Sequence, residues 1–192
     1  MACYRLYVRA RSKSFSLLSA GAFAGFGARS VLELPVRLVG EERITIGEDV
    51  YVAAGSWLQT LAGPGHSGEL VIGDGTSIAG SCVLSAASSV RLGRKVLLAR
   101  NVYVSDHIHA YDDTQRAVLD QGLARLEPVE IRDGAWLGQN VVVCPGVTIG
   151  EGAVVGANSV VLEDVPAHSL AVGAPATVVR RHTAETVGSE PL

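Results

Sequence analysis

Along most of this chain an aliphatic residue returns every six positions. From residue 131 onward Ile131, Leu137, Val143, Ile149, Val155 and Val161 hold one phase. Four positions after each stand Ala135, Val141, Val147, Ala153, Ser159 and Val165, all small or β-branched. A helix repeats about every 3.6 residues and a strand about every 2, so neither produces this phase. A period of six with one aliphatic and one small position predicts a parallel β-helix, in which each hexad is a short strand followed by a corner. Gly138, Gly150 and Gly156 directly follow three of the aliphatic leads, where a corner needs a residue without a side chain.

The same phase runs upstream in blocks. Ile46, Val52 and Leu58 form one set, Ile72, Ile78 and Leu84 a second, and Leu92, Leu98 and Val104 a third. Three hexads make one triangular coil, so coils are expected to start at residues 46, 72, 92, 131 and 149. No coil can bury its own aliphatic face alone; stacking on the next one does it. Two breaks interrupt the phase. "LAGPGHSGE" (61–69) is a polar, glycine-rich excursion, and "HAYDDTQRAVLDQGLARLEP" (109–128) is an insertion long enough to suggest function. The expected organisation is a lead-in segment over 1–43, a β-helix over 44–181 and a tail over 182–192.

Composition narrows the function. Among 192 residues 48% are apolar and 18% charged, which is a folded chain; 22 glycines and few aromatics suit a turn-rich β protein. A net charge of −3 argues against nucleic acid as the main partner. Cys3, Cys82 and Cys144 are far apart and odd in number, with no CxxC pair, which fits a reducing, cytoplasmic setting rather than a disulfide framework. The N-terminal "MACYRLYVRARSK" is basic, and "SFSLLSAGAFAGFGA" after it is too short and too rich in small residues for a transmembrane segment.

The stretch carrying chemistry is "VSDHIHAYDD" (104–113). It places His107 and His109 beside Asp106, in a chain with five histidines, at the exit to the long insertion. A neutral imidazole can take a proton near neutral pH, and a neighbouring carboxylate can orient it. Residue types alone leave open a metal site, a base with its support, or a polar loop. His66, His168 and His182 read as surface residues, and Asp112 and Asp113 as candidates to hydrogen-bond an acceptor.

From "VEIRDGAWLGQNVVVCPGVTIGEGAVVGANSVVLEDVPAHSLAVGAPATVVRR" (129–181) the chain resembles the hexapeptide-repeat acyltransferases, in particular the maltose and galactoside O-acetyltransferases. "DHIH" followed by Gln121, Gly122, Pro128, Val129, Ile131, Asp133, Trp136 and Gly138 resembles the capsule and lipopolysaccharide O-acetyltransferase branch. The resemblance covers roughly 44–181. It implies an all-β fold, a left-handed parallel β-helix with a protruding loop, and homotrimers with acetyl-CoA held between neighbouring prisms. It also implies His107 as the general base, with Asp106 or His109 orienting it or binding the acceptor. Trp136, Gly138, Ala157, Arg180 and Arg181 become the cofactor-binding candidates, and no metal is required. Two departures stand out: Ile108 follows the histidine where the sugar acetyltransferases have proline, and Glu163 stands where relatives often have lysine.

The activity so implied is acetyl-CoA-dependent O-acetylation of a saccharide hydroxyl. N-acetylation of an amino sugar would use the same base. A metal enzyme of the γ-carbonic anhydrase type needs three suitably spaced histidines, and here the short pair is only two apart. A non-catalytic trimeric scaffold is the remaining alternative.

Overall fold

A computed structural model describes residues 2–181 of the chain, with side chains from Leu6 onward. The expected tail over 182–192, and His182 with it, lies outside the described residues.

The hexads close into a triangular prism, a left-handed parallel β-helix. Its first face stacks six parallel strands, Gly25–Phe26, Ile44–Ile46, Glu69–Ile72, Ser89–Leu92, Val129–Ile131 and Thr148–Ile149. The second face stacks Val31–Leu32, Tyr51–Val52, Ser77–Ile78, Leu97–Leu98, Trp136–Leu137 and Val154–Val155. It is extended by Ser169–Gly173 and the antiparallel Ala176–Arg181. The third face stacks Arg37–Val39, Trp57–Thr60, Val83–Ala86, Tyr103–Ser105, Val142–Val143 and Val160–Val161.

The phase read from the sequence is the register of these faces. Ile46 pairs with Ile72, Ile72 with Leu92, Leu92 with Ile131 and Ile131 with Ile149. The lead residues and those four positions later fill the interior together: Ile72, Leu92, Leu98, Ala135, Val141 and Ala153 are all buried. Where the corner residue is polar, its hydroxyl serves the backbone. Thr76 donates to the Gly93 carbonyl at 2.8 Å and accepts from the Val96 N–H at 3.1 Å. Buried hydroxyls without such partners would be costly.

Residues 1–43 are not a mere lead-in. Phe26, Leu32 and Leu38 form a sixth coil, pairing with Ile46, Val52 and Leu58. The prism therefore begins at Gly25 and not at residue 44. An aromatic lead at Phe26, within a run of glycine and alanine, hid the phase. Before it lies helix α1 (Ala2–Ser19).

Helix α1 closes the open edge of the first coil. The Val31 and Glu33 N–H groups donate to the next coil, at 2.8 Å each. The alternate groups, on Leu32 and Leu34, face the other way, where a β-helix has no further coil. Ser16 Oγ accepts from the Leu32 N–H at 2.9 Å, and Ser12 Oγ accepts from the Leu34 N–H at 3.2 Å. Both serines are buried. An unpaired strand edge invites another chain, and covering it with a helix prevents that.

Replacing both hydroxyls, Ser12→Ala with Ser16→Ala, leaves two edge donors without partners. The double variant is expected to lose about 2–4 kcal/mol in urea unfolding, at roughly 1–2 kcal/mol per orphaned group.

Candidate active site

Both phase breaks leave the prism at one edge, between the third and first faces. The shorter, between Leu61 and Gly68, is a small hairpin pairing Ala62–Gly63 with His66–Ser67. His66 is half-buried against Gly63 of its own hairpin, not fully exposed as the sequence suggested. The longer is an arm whose base pairs Ile108–His109 antiparallel to Leu123–Ala124. It closes where it opened, through the Glu127 N–H donating to the Asp106 carbonyl at 2.9 Å. Gln121 holds its far end. Its amide donates to the Asp113 and Arg116 carbonyls, at 2.9 Å each, and its oxygen accepts from the Asp113 N–H at 3.1 Å. Asp113 Oδ1 accepts from the Gln115 N–H, so this carboxylate shapes the arm. Between the two excursions one coil turns the same corner without insertion, at Ala86–Ala87–Ser88.

That plain corner receives the Asp106 carboxylate. Oδ1 accepts from the Ala87 N–H at 2.8 Å and Oδ2 from the Ser88 N–H at 2.7 Å. His107 Nδ1 lies 2.8 Å from Oδ1. The aspartate is fully buried. Burial by itself would raise its pKa. The hydrogen bonds from His107, Ala87 and Ser88 outweigh that and hold the carboxyl below its ordinary value. An ionised carboxylate only accepts, so Nδ1 of His107 carries the proton and donates. The other ring nitrogen, Nε2, then bears the lone pair, which is the tautomer a general base requires. The Ser105 hydroxyl, which sequence reasoning did not single out, donates to the His107 carbonyl at 2.8 Å. The His107 side chain is only 9% exposed in the single prism.

Asp106 and His109 were expected to share the tasks of orienting the base and holding the acceptor. Asp106 is fully buried against the Ala87–Ser88 corner and the His107 ring, out of reach of any molecule in solvent. His109 is exposed on the arm and makes no side-chain hydrogen bond among the described residues.

The other candidates lie elsewhere on the prism. Trp136 points outward from the second face, 47% exposed. Gly138 stands at the next corner, stacked on Ala157 of the following coil; a Cβ there would lie 2.6 Å from the Ala157 N. Corner stacking alone thus demands this glycine. Arg180 pairs with Leu170, which pairs with Val154, which pairs with Trp136, so Arg180 and Trp136 share one row across the second face. Arg181 is the next residue of that strand, and both arginines are exposed. Within one prism, then, His107 stands on one edge while Trp136, Gly138, Ala157 and Arg180 group around a different face and corner.

Asp106→Asn is expected to unfold more easily by about 1–3 kcal/mol at neutral pH, because an amide cannot accept all three hydrogen bonds. The pH dependence follows from the depressed carboxyl. Its contribution is present above pH of about 4 and lost as pH falls toward the folded-state value. The stability gap between the two proteins, read by urea unfolding over a pH series, should close in acid; a constant gap would contradict the arrangement.

Comparison with known proteins bears on the family of the chain. Residues 128–163 match the family model described as bacterial transferase hexapeptide (six repeats). The chain is 30% identical to a protein of Escherichia coli (strain K12) provisionally named lipopolysaccharide biosynthesis O-acetyl transferase WbbJ, over 81% of each chain. It is 38% identical over 60% of its length to the Mycobacterium tuberculosis protein "Probable acetyltransferase Rv3034c", and spans only 38% of that relative. Against a second relative, from Schizosaccharomyces pombe, it spans 47%. Among solved structures, AntD, an N-acyltransferase from Bacillus cereus in complex with dTDP and 3-hydroxybutyryl-CoA, superposes with a TM-score of 0.75. That match covers 88% of this chain and 89% of AntD at 19% identity, which is a likeness of fold. The repeat register, the family match and the likeness to the Escherichia coli protein over 81% of each chain together make this chain a member of the bacterial hexapeptide-repeat transferase family.

Proposed function

We propose that the protein transfers an acetyl group from acetyl-CoA to a hydroxyl of a saccharide, with His107 as general base. The observation that carries this reading is the pinned imidazole. A buried carboxylate fixes Nδ1 as donor, so Nε2 is left to accept a proton at the edge where the arm emerges. Nε2 takes the proton of the acceptor hydroxyl as its oxygen attacks the thioester carbonyl. The C–O bond forms, the C–S bond breaks, and the departing thiolate recovers the proton from the imidazolium. Asp106 stabilises that imidazolium and holds the ring in place; it is a positioning residue.

Acetyl-CoA is the co-substrate in this reading. The corner at Gly138 and Ala157 is bare backbone, which suits a slender pantetheine arm, with Trp136 beside it. Arg180 and Arg181, further along the same face, suit phosphates. Because the base stands on a different edge, a complete site takes two copies of the chain.

The outer surfaces favour such self-association. On the third face Val83, Tyr103, Val142 and Val160 line up outward in one register. The matching row of the first face is Thr45, Val71, Arg91, Glu130 and Thr148. One face is thus built for water and another for a neighbour. A closed homotrimer with a site at each junction satisfies both requirements.

Titration calorimetry of acetyl-CoA into the protein is expected to show binding near one per chain, and none up to several millimolar would overturn the reading. His107→Ala should lose at least about a hundredfold in kcat while keeping cofactor affinity. Activity on hydroxyl and amino acceptors in parallel separates O- from N-acetylation. Tyr103→Glu, placing a charge in the middle of the outward apolar row, should convert the trimer to monomer in size-exclusion chromatography and abolish turnover.

A further inference from the structure

Helix α1 has a second face. Its inward side, Ser12, Phe15 and Ser16, lies on the prism end. On the opposite side Leu6 is 70% exposed, Tyr7 60%, Leu17 71% and Leu18 88%. At a helical step of about 100° per residue these four fall on one side of the helix, together with Ala10 and Ser14. Arg9 and Lys13 border that apolar strip on one flank and Arg11 on the other, and all three are exposed. No acidic residue occurs in the first nineteen positions, although the whole chain carries a net charge of −3.

We propose that this outward face of α1 docks the protein on an anionic phospholipid surface. An apolar strip between rows of cations is the pattern of a helix lying in the plane of a bilayer, with leucines among the acyl chains and cations at the headgroups. Each cation near such a surface strengthens binding roughly fivefold. A second copy of the chain is a poor occupant, because it would bring an equal cluster of positive charge against the first with no carboxylate on either helix. Arg9 and Lys13 also border a cavity of about 700 Å³ between the helix and the second face, which leaves room for lipid phosphates beside them. No helix among the described residues is long and apolar enough to cross a membrane, so the helix would lie on the surface. The proposal does not depend on the acetyl-transfer reading.

Cosedimentation of the full chain with lipid vesicles tests it. The protein should bind vesicles of equimolar phosphatidylcholine and phosphatidylglycerol at least about tenfold more tightly than vesicles of phosphatidylcholine alone, and lose that preference at high salt. Leu17→Glu with Leu18→Glu should weaken binding at least about tenfold with unchanged oligomeric size and thermal unfolding. Arg9→Glu with Lys13→Glu should remove the preference for anionic lipid. Failure to bind the anionic vesicles, or unaltered binding by both double variants, would overturn the proposal. So would a change of oligomeric size in the leucine variant, which would assign the face to contacts between copies.

Discussion

Every coil of this prism hangs on its neighbour by parallel backbone hydrogen bonds, and this fixes the spacing between coils at about 4.8 Å. Little besides backbone fits between two corners at that separation. Gly138 over Ala157 is the clearest case, and Gly27, whose Cβ would meet the Gly47 carbonyl carbon at 2.3 Å, is another. The same spacing permits ladders of one residue type along an edge. Asn101, Asn140 and Asn158 all adopt left-handed backbone and join side chain to side chain, at 3.1 and 2.8 Å. Asparagine tolerates that conformation, and its amide bridges the coil spacing. The interior leaves no room for chemistry. Functional groups must stand on the outer faces or where the chain leaves an edge, and here both excursions use one edge.

The buried Asp106 is an exception that obeys this rule. A lone carboxylate inside a protein is expensive. Here the plain corner between the two excursions supplies two N–H groups that no other coil claims, and His107 supplies the third donor. The excursion that interrupts the stack thereby creates both the carboxylate and its site. The support of the imidazole is part of the folding of the prism, and the two cannot be separated by a small change at Asp106.

Much of the fold was legible because it is periodic. Five coil starts, at Ile46, Ile72, Leu92, Ile131 and Ile149, are adjacent partners in one sheet. The sixth coil was hidden by an aromatic lead. Helix α1 was hidden because it buries serines: Ser12 and Ser16 look like surface residues until the strand edge they serve is seen. In the candidate site the His107–Asp106 pair was visible as a motif, but the contrast between a buried Asp106 and an exposed His109 was not. It depends on the Ala87 and Ser88 N–H groups, and a backbone donor has no signature in sequence. The gap between His107 and the Trp136 group was also invisible, because position along the chain does not tell which edge of the prism a residue occupies.

The end cap and the edge that carries His107 also stand in a set relation. His107 follows the fourth coil, three coil steps from the coil that α1 covers, a rise of about 14 Å. With the helix itself about 10 Å thick, the imidazole would stand on the order of 25 Å above any surface on which α1 rests. A rigid stack of coils does not stretch, so this height is a ruler. If the proposed transfer takes place at His107, an acceptor anchored in the same surface would reach it only where several sugar units separated its anchor from the reacting hydroxyl, and shorter chains would pass beneath it.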